Sequence, residues 1–341
     1  LSTSSAASDV YKRQQLNIFD QSINTNLSID YLNGEFNQNY LDPEQNSYGN
    51  TLFSVSPSYK YFQGDLAVSV GVRATFLIDS NRSINRFYIY PNIEASYSIV
   101  NSIVLAYAQI KGDLIQNTYS DFAQINPFIS PTLEIRPSST SYKLIVGSKG
   151  KLSESIAYDL NGSYSKQNDK ALFRSNTILN LSALTNYNQG NSFGIVYDDV
   201  DVFNASGALE FDMSEKLMLR FKGDLYKYSS NLEPRVWNLP DFEASLFLNY
   251  QISDKWALVG TLFYYGARQD STTNDSLHSE TTNETLDSFF DANFQLDYQV
   301  SSQWGAFLKV NNMTNSNYSR WNHYPVQGFQ ILGGASYKFD F

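Results

Sequence analysis

The chain has 341 residues, and 25 Tyr and 23 Phe raise its aromatic content to 15% while charged residues make up only 17% and mean hydropathy is -0.35. A chain that is rich in aromatics and poor in charge without being hydrophobic overall results when apolar and polar residues alternate rather than cluster. No stretch reaches the roughly 18 to 20 uninterrupted apolar residues of a spanning helix. A net charge of -10 offers no basic stripe to a nucleic acid, and the lack of cysteine excludes disulfide scaffolds and thiol chemistry.

From the start of the chain, Leu1 to Gln14 has no apolar core between a basic region and a cleavage site, so it is not a signal peptide. SSAASDVYKRQ (Ser4–Gln14) resembles an adapter-derived translation found at broken ends of metagenomic reading frames. Residues 1–14 are therefore read as a non-native scar, residues 15–341 as the folded domain, and the natural chain as starting further upstream.

Beyond this point the dominant period is two. Leu66, Val68, Val70, Val72, Ala74 and Phe76 alternate with Asp65, Ser69, Gly71, Arg73 and Thr75. Ile156, Tyr158, Leu160 and Tyr164 alternate with Asp159, Asn161, Ser163 and Ser165, and Leu217, Leu219, Phe221 and Leu225 with Arg220, Lys222 and Asp224. Near the end, Phe290, Ala292, Phe294, Leu296, Tyr298 and Val300 alternate with Asp291, Asn293, Gln295, Asp297 and Gln299. Successive strand side chains point to opposite faces, so each segment has one oily and one wet face.

This pattern predicts about 14 strands, an even number as single-chain barrels require: 15–32, 51–62, 65–79, 86–99, 103–115, 140–150, 154–168, 192–212, 216–230, 241–252, 256–269, 286–300, 304–312 and 327–341. Short connections near Gln63–Gly64, Val100–Ser102, Lys151–Ser153, Ser214–Lys216, Ser253–Lys255 and Ser301–Gln303 alternate with long polar ones. Short turns at one end and long loops at the other are the pattern of an antiparallel transmembrane β-barrel with its turns in the periplasm. Pro57 and Pro91 interrupt two strands and call for a bulge or a place beyond the membrane band, and Ser192 to Asp212 reads equally as two short strands.

Trp256 and Trp304 follow short turns, and Tyr250 and Tyr298 precede them. Such placement suits an interfacial aromatic girdle; the alternative is the core aromatics of a soluble sandwich.

The last strand, GFQILGGASYKFDF, ends on an aromatic residue. It resembles the terminal signal read by the barrel-assembly machinery, which implies that role for Tyr337, Phe339 and Phe341. VNNMTNSNYSRWNHYP (Val310–Pro325) is similar to the penultimate strand and last loop of TonB-dependent receptors. NPFISPTLEIRPSSTSYKLIVGSKG (Asn126–Gly150), Phe193–Tyr228 and VWNLPDF (Val236–Phe242) resemble the same group. The resemblance implies an outer-membrane barrel of about 22 strands around a plug. This chain would be its C-terminal part, without the plug and the TonB-binding segment. It also implies outer-membrane lipid, the assembly machinery and TonB as partners.

No enzyme constellation, cofactor motif or metal motif is visible. His278 and His323 lie far apart in loops, and Asp198–Asp199 and the polar run from Asp270 to Asp287 lack the spacing of a preorganised calcium loop. Sequons at Asn274, Asn283, Asn312 and Asn317 are read as chance. Arg73, Asp159, Arg220, Lys222, Asp224, Asn249, Asp297 and Lys309 are expected to line a wet lumen, facing a plug or a passing ligand. The leading expectation is a receptor barrel for a bulky nutrient: siderophore, cobalamin, glycan or peptide. A self-contained 14-stranded passive channel and a barrel-based surface binding protein are the alternatives. Unpaired first and last strands would favour the receptor fragment, because a complete barrel leaves no open edge.

Overall fold

The computed structural model describes residues 6–18, 21–36, 46–100, 103–177, 190–273 and 281–339. Its wall begins with β1 (Ala6–Ile18), β2 (Gln21–Phe36), β3 (Asn46–Gln63), β4 (Leu66–Asp79), β5 (Ile84–Val100) and β6 (Val104–Ile115). After the short helix α1 (Tyr119–Ile125) come β7 (Ser138–Ser153), β8 (Ile156–Ser175), β9 (Phe193–Ser214), β10 (Leu217–Ser230), β11 (Phe242–Gln251) and β12 (Trp256–Tyr265). The hairpin β13 (Arg268–Thr273) and β14 (Thr281–Leu286) precedes β15 (Phe289–Gln299) and β16 (Trp304–Asn311). A second, minimal hairpin, β17 (Ser319–Trp321) and β18 (Tyr324–Pro325), precedes the last strand β19 (Gln330–Tyr337).

Fifteen of these strands form one sheet, in sequence order apart from the two hairpins, which stand outside it. The count exceeds the expected one because 15–32 is not a single strand: β1 and β2 pair from Ala6↔Asn33 to Ile18↔Gln21. Conversely, Ser192 to Asp212 lies almost wholly in the single strand β9, paired with β8 along its length. All adjacent pairs are antiparallel, so β1 and β19 run in the same direction, and they are not hydrogen-bonded to each other.

The two faces differ as the alternation requires. On β4, Val70, Val72, Phe76 and Ile78 are exposed while Thr75, Leu77 and Asp79 are buried. On β3, Phe53 and Val55 are exposed while Asn50, Leu52 and Ser54 are buried, with Ser54 Oγ 2.9 Å from Thr75 Oγ1. The sheet therefore turns its apolar face outward and its polar face inward, the reverse of a soluble sandwich.

The tight turns share one device. In SESI, SEKL, SDKW and SSQW the serine hydroxyl accepts the backbone N–H two residues on: Ser155 to Ser153 at 3.2 Å, Lys216 to Ser214 at 3.2 Å, Lys255 to Ser253 at 3.4 Å and Gln303 to Ser301 at 3.3 Å. A hydroxyl standing in for a backbone acceptor stabilises a short reversal. Between β3 and β4 Gly64 supplies the left-handed conformation instead, at φ 56°.

Neither proline sits at a register shift. The β3–β4 ladder skips Ser56 and Pro57 and resumes unchanged, Val55↔Ala74 being followed by Ser58↔Gly71. Pro91 pairs with Val72, and the β5–β6 ladder starts one residue later at Asn92. Each missing N–H is thus met by a one-sided gap. The true irregularity lies between Lys111 and Asp113, where Gly112 passes so close to β7 that a Cβ would stand 2.5 Å from the Ser141 carbonyl.

An arginine at Val72, central on the outward face, should cost about 2–4 kcal/mol for the sheet in a bilayer, whereas one at inward-facing Ser69 should cost little. Denaturant titration of both variants in lipid vesicles checks the difference; equal costs would refute the assignment of faces.

Candidate functional site

At the end with long loops the inner face is not wet. Leu32, Phe36 and Tyr48 from β2 and β3 pack in one buried cluster with Phe122 of α1, Ile129, Leu133 and Ile135 of the following loop, Phe173 and Phe193 of β8 and β9, and Trp321 of β17. Strands far apart in the sheet converge here on one face, so the sheet curls with that face inside. Trp321 meets the rings of Phe173 and Phe193 edge-on at 5.4 and 5.3 Å. The loop also joins β9 directly: Ile129 forms an isolated parallel bridge with Phe193. α1 is capped by Thr118, whose hydroxyl accepts the Asp121 N–H at 3.1 Å. Among the described residues, the loop from 118 to 137 and β17 therefore form a packed cap, not the solvated segments that their polarity suggests.

Buried polar side chains hold this cap. Asp198, weighed as a calcium ligand in the sequence, instead accepts the backbone N–H groups of Asn231 at 3.2 Å, Leu232 at 2.9 Å and Glu233 at 2.9 Å. Among the described residues no group of three acidic or histidine side chains is placed to hold a metal. The loop thus anchored is VWNLPDF with its approach: Trp237, 1% exposed, donates to Glu233 at 2.7 Å, and Glu233 pairs with Arg174 at 3.0 Å.

Arg268, also 1% exposed, donates to the carbonyls of Gly266 at 3.2 Å, Ser319 at 2.7 Å and Arg320 at 3.2 Å, tying β13 to β17. Its guanidinium lies 4.8 Å from the centre of the Tyr265 ring. Asp270 accepts the N–H and hydroxyl of Ser175 at 3.1 and 2.6 Å and the N–H of Ser271 at 2.8 Å. Burial pushes its carboxyl above the usual range, against these hydrogen bonds. In the last loop Asn312, at φ 47°, donates to the carbonyls of Ser316 and Gln327 and accepts the Ser316 N–H. The Asn-rich run is therefore a structural knot. His323 has φ 67° between β17 and β18, and His278 lies outside the described residues.

Below the cap the inner face is polar. Arg73 pairs with Asp113 at 3.0 Å, and Asp159 accepts the Tyr107 hydroxyl at 2.7 Å. Arg220 grips Glu210 at 2.6 Å, and Lys222 reaches Asp224 at 3.0 Å. Asp297 accepts the Gln295 amide at 2.9 Å, Lys309 stands opposite Gln295 and Leu332, and Asn249 stands opposite Met218 and Val259. These residues do not converge on one site; they spread over the wall as separate pairs.

At the short-turn end Trp256 stacks on Tyr298 with ring centres 4.3 Å apart. Trp304 meets Tyr337 at 4.8 Å, and Tyr337 meets Phe339 edge-on at 4.7 Å. Tyr250, Trp256, Trp304, Tyr337 and Phe339 are exposed, while Phe341 lies outside the described residues. The repeated turn unit and the aromatic row share this end. Asp270 entered the sequence reading only as the start of a polar run weighed for calcium, and buried Arg268, Trp237 and Trp321 were given no role; two tryptophans within polar loops were the signal available.

These features define an antiparallel barrel wall of the outer-membrane type: apolar outside, polar inside, aromatic at the turn end and capped at the loop end. No family profile and no curated protein sequence matches the chain. Solved structures do. The pyoverdine outer membrane receptor FpvA from Pseudomonas aeruginosa PAO1, bound to pyoverdine, superposes with a TM-score of 0.68 at 14% identity, covering 99% of this chain and 53% of that one. The ferric-catecholate import receptor Fiu from Escherichia coli K12 superposes at 0.66 with 10% identity, covering 99% and 55%. The copper transporter OprC does so at 0.64 with 10% identity, covering 99% and 57%. The chain has the fold of these receptor and transporter barrels and spans about half their length.

Replacing Asp198 by alanine should leave three backbone N–H groups without their acceptor and cost the cap about 1–3 kcal/mol. Proteolysis should then nick residues 231–240 first; unchanged resistance would refute the anchoring role. Asp270 has a second expected signature. Its carboxyl is raised in the folded cap, so between the ordinary carboxylate range and the raised value the folded state holds a proton that the unfolded chain has lost. Cap stability should therefore rise as pH falls through that window, and hydrogen exchange at the Ser175 and Ser271 amides, corrected for intrinsic rates, should slow.

Proposed function

We propose that the chain is the C-terminal part of the barrel of a TonB-dependent receptor in the outer membrane of a Gram-negative bacterium. The complete protein would import a scarce, bulky nutrient. The observation that carries this reading is the inside-out wall joined to a cap built from the long loops. A passive pore needs an open mouth, whereas a receptor needs a shaped external surface that can hold a ligand and exclude bulk solvent. The likeness in fold to a pyoverdine outer membrane receptor and a ferric-catecholate import receptor, over about half of their length, supports the same reading.

In this reading β19 pairs with further strands of a larger barrel, and the likeness to about half the length of receptor barrels favours it over a self-contained 14-stranded channel or a surface binding protein. Residues 1–14 stay outside the functional reading as a scar. Tyr250, Trp256, Tyr298 and Trp304 would sit at the lipid–periplasm interface, with Tyr337, Phe339 and Phe341 presented to the assembly machinery. The inner charged pairs would face the plug or the passing solute, and TonB would engage a segment upstream. The ligand is a siderophore, cobalamin, glycan or peptide.

The test is liposome swelling with the full-length parent, with and without its plug, together with nutrient uptake in cells with and without TonB. Vesicles should swell only when the plug is removed, and uptake should vanish without TonB. Free permeation through the intact parent, or TonB-independent uptake, would overturn the proposal.

A further inference from the structure

The ladder gaps at Pro57 and Pro91 and the irregularity at Gly112 surround one cavity of about 860 Å³ in the inner wall. Its lining is unlike the rest of the chain. The protein carries 34 acidic against 24 basic residues, yet this cavity is lined by Lys60, Arg73, Lys111 and Lys143 and by a single acid, Asp113. Asp113 is engaged by Arg73 at 3.0 Å, and Glu94, on the neighbouring row of β5, pairs with Lys111. Asp113 and Glu94 thus offset Arg73 and Lys111, so among the described residues lining the cavity Lys60 and Lys143 carry the remaining net charge.

The register makes this costly. Asn92, Lys111 and Lys143 are direct cross-strand neighbours on the inner face of β5, β6 and β7, so two lysines stand opposite each other. Like charges in that position destabilise a sheet. Mutual repulsion does nothing to hold the wall, but it is relieved when an anion sits between the ammonium groups.

We propose that this cavity is an anion subsite that takes a carboxylate or phosphate group beside Lys143 and Lys111, with the Asn92 amide as a further donor and Lys60, across the cavity on β3, adding to its positive field. The solute carrying that group would cross the barrel along β3 to β7. The subsite names a chemical class for the imported solute and so rests on the import reading. Its test measures binding alone, so a negative result leaves the uptake experiment standing.

The full-length parent protein, inserted in lipid vesicles, is titrated calorimetrically with inorganic phosphate and, separately, with citrate. Saturable binding of either anion is expected, and which one binds distinguishes a phosphate from a carboxylate subsite. Binding should weaken with added salt. Lys143→Gln should lower the affinity about tenfold, as loss of a charge-assisted contact does, while raising resistance to denaturant because the repulsion is gone. Lys60→Gln should weaken binding without that gain, and Lys227→Gln, on the outward face, should leave it unchanged. Absence of saturable binding by both anions, or equal binding by wild type and Lys143→Gln, would overturn the proposal. So would a loss of stability in Lys143→Gln, which would mark the lysine as structural.

Discussion

In hydrocarbon no water is present to satisfy a backbone amide, so every N–H and C=O of a spanning segment must find its partner in the protein. The fifteen-stranded antiparallel sheet meets that constraint across its interior, and its other properties follow from it. Side chains alternate because strands do, so the outer face can be Val70, Val72 and Phe76 while the inner carries Ser69, Arg73 and Thr75. Where prolines remove a donor, the ladder opens on one side without losing register, and the polar cavity occupies the opening.

The two ends of the wall solve opposite problems. At the turn end the chain must reverse quickly, and serine hydroxyls do the work of backbone acceptors while aromatic rings sit just above them. At the loop end long segments must be ordered without a ladder. There a small apolar cluster supplies the burial, and Asp198, Arg268 and Asn312 tie up backbone groups that would otherwise be buried without partners.

Much of the wall was legible in the sequence because its cause is local. Period two survives in any stretch of a few residues, so the strand character and two-faced alternation of β4, β8, β10 and β15 could be read directly. The first strand was misjudged because the reversal between Ile18 and Gln21 falls where the alternation has no glycine or proline to mark it. Asp198 was misjudged because an acidic pair near the loop end of a strand looks solvated until the partner loop is known.

What the sequence determined by itself, then, is a two-faced ribbon with short and long connections in alternation, since strand geometry converts spacing into sidedness without reference to distant residues. Only the tertiary structure decided which loops meet over the lumen, that Phe122, Phe173 and Trp321 share one core, and that Lys111 and Lys143 face each other beside a gap in the wall. Those facts depend on the curl of the sheet and on contacts between residues far apart in the chain, and no local pattern encodes them.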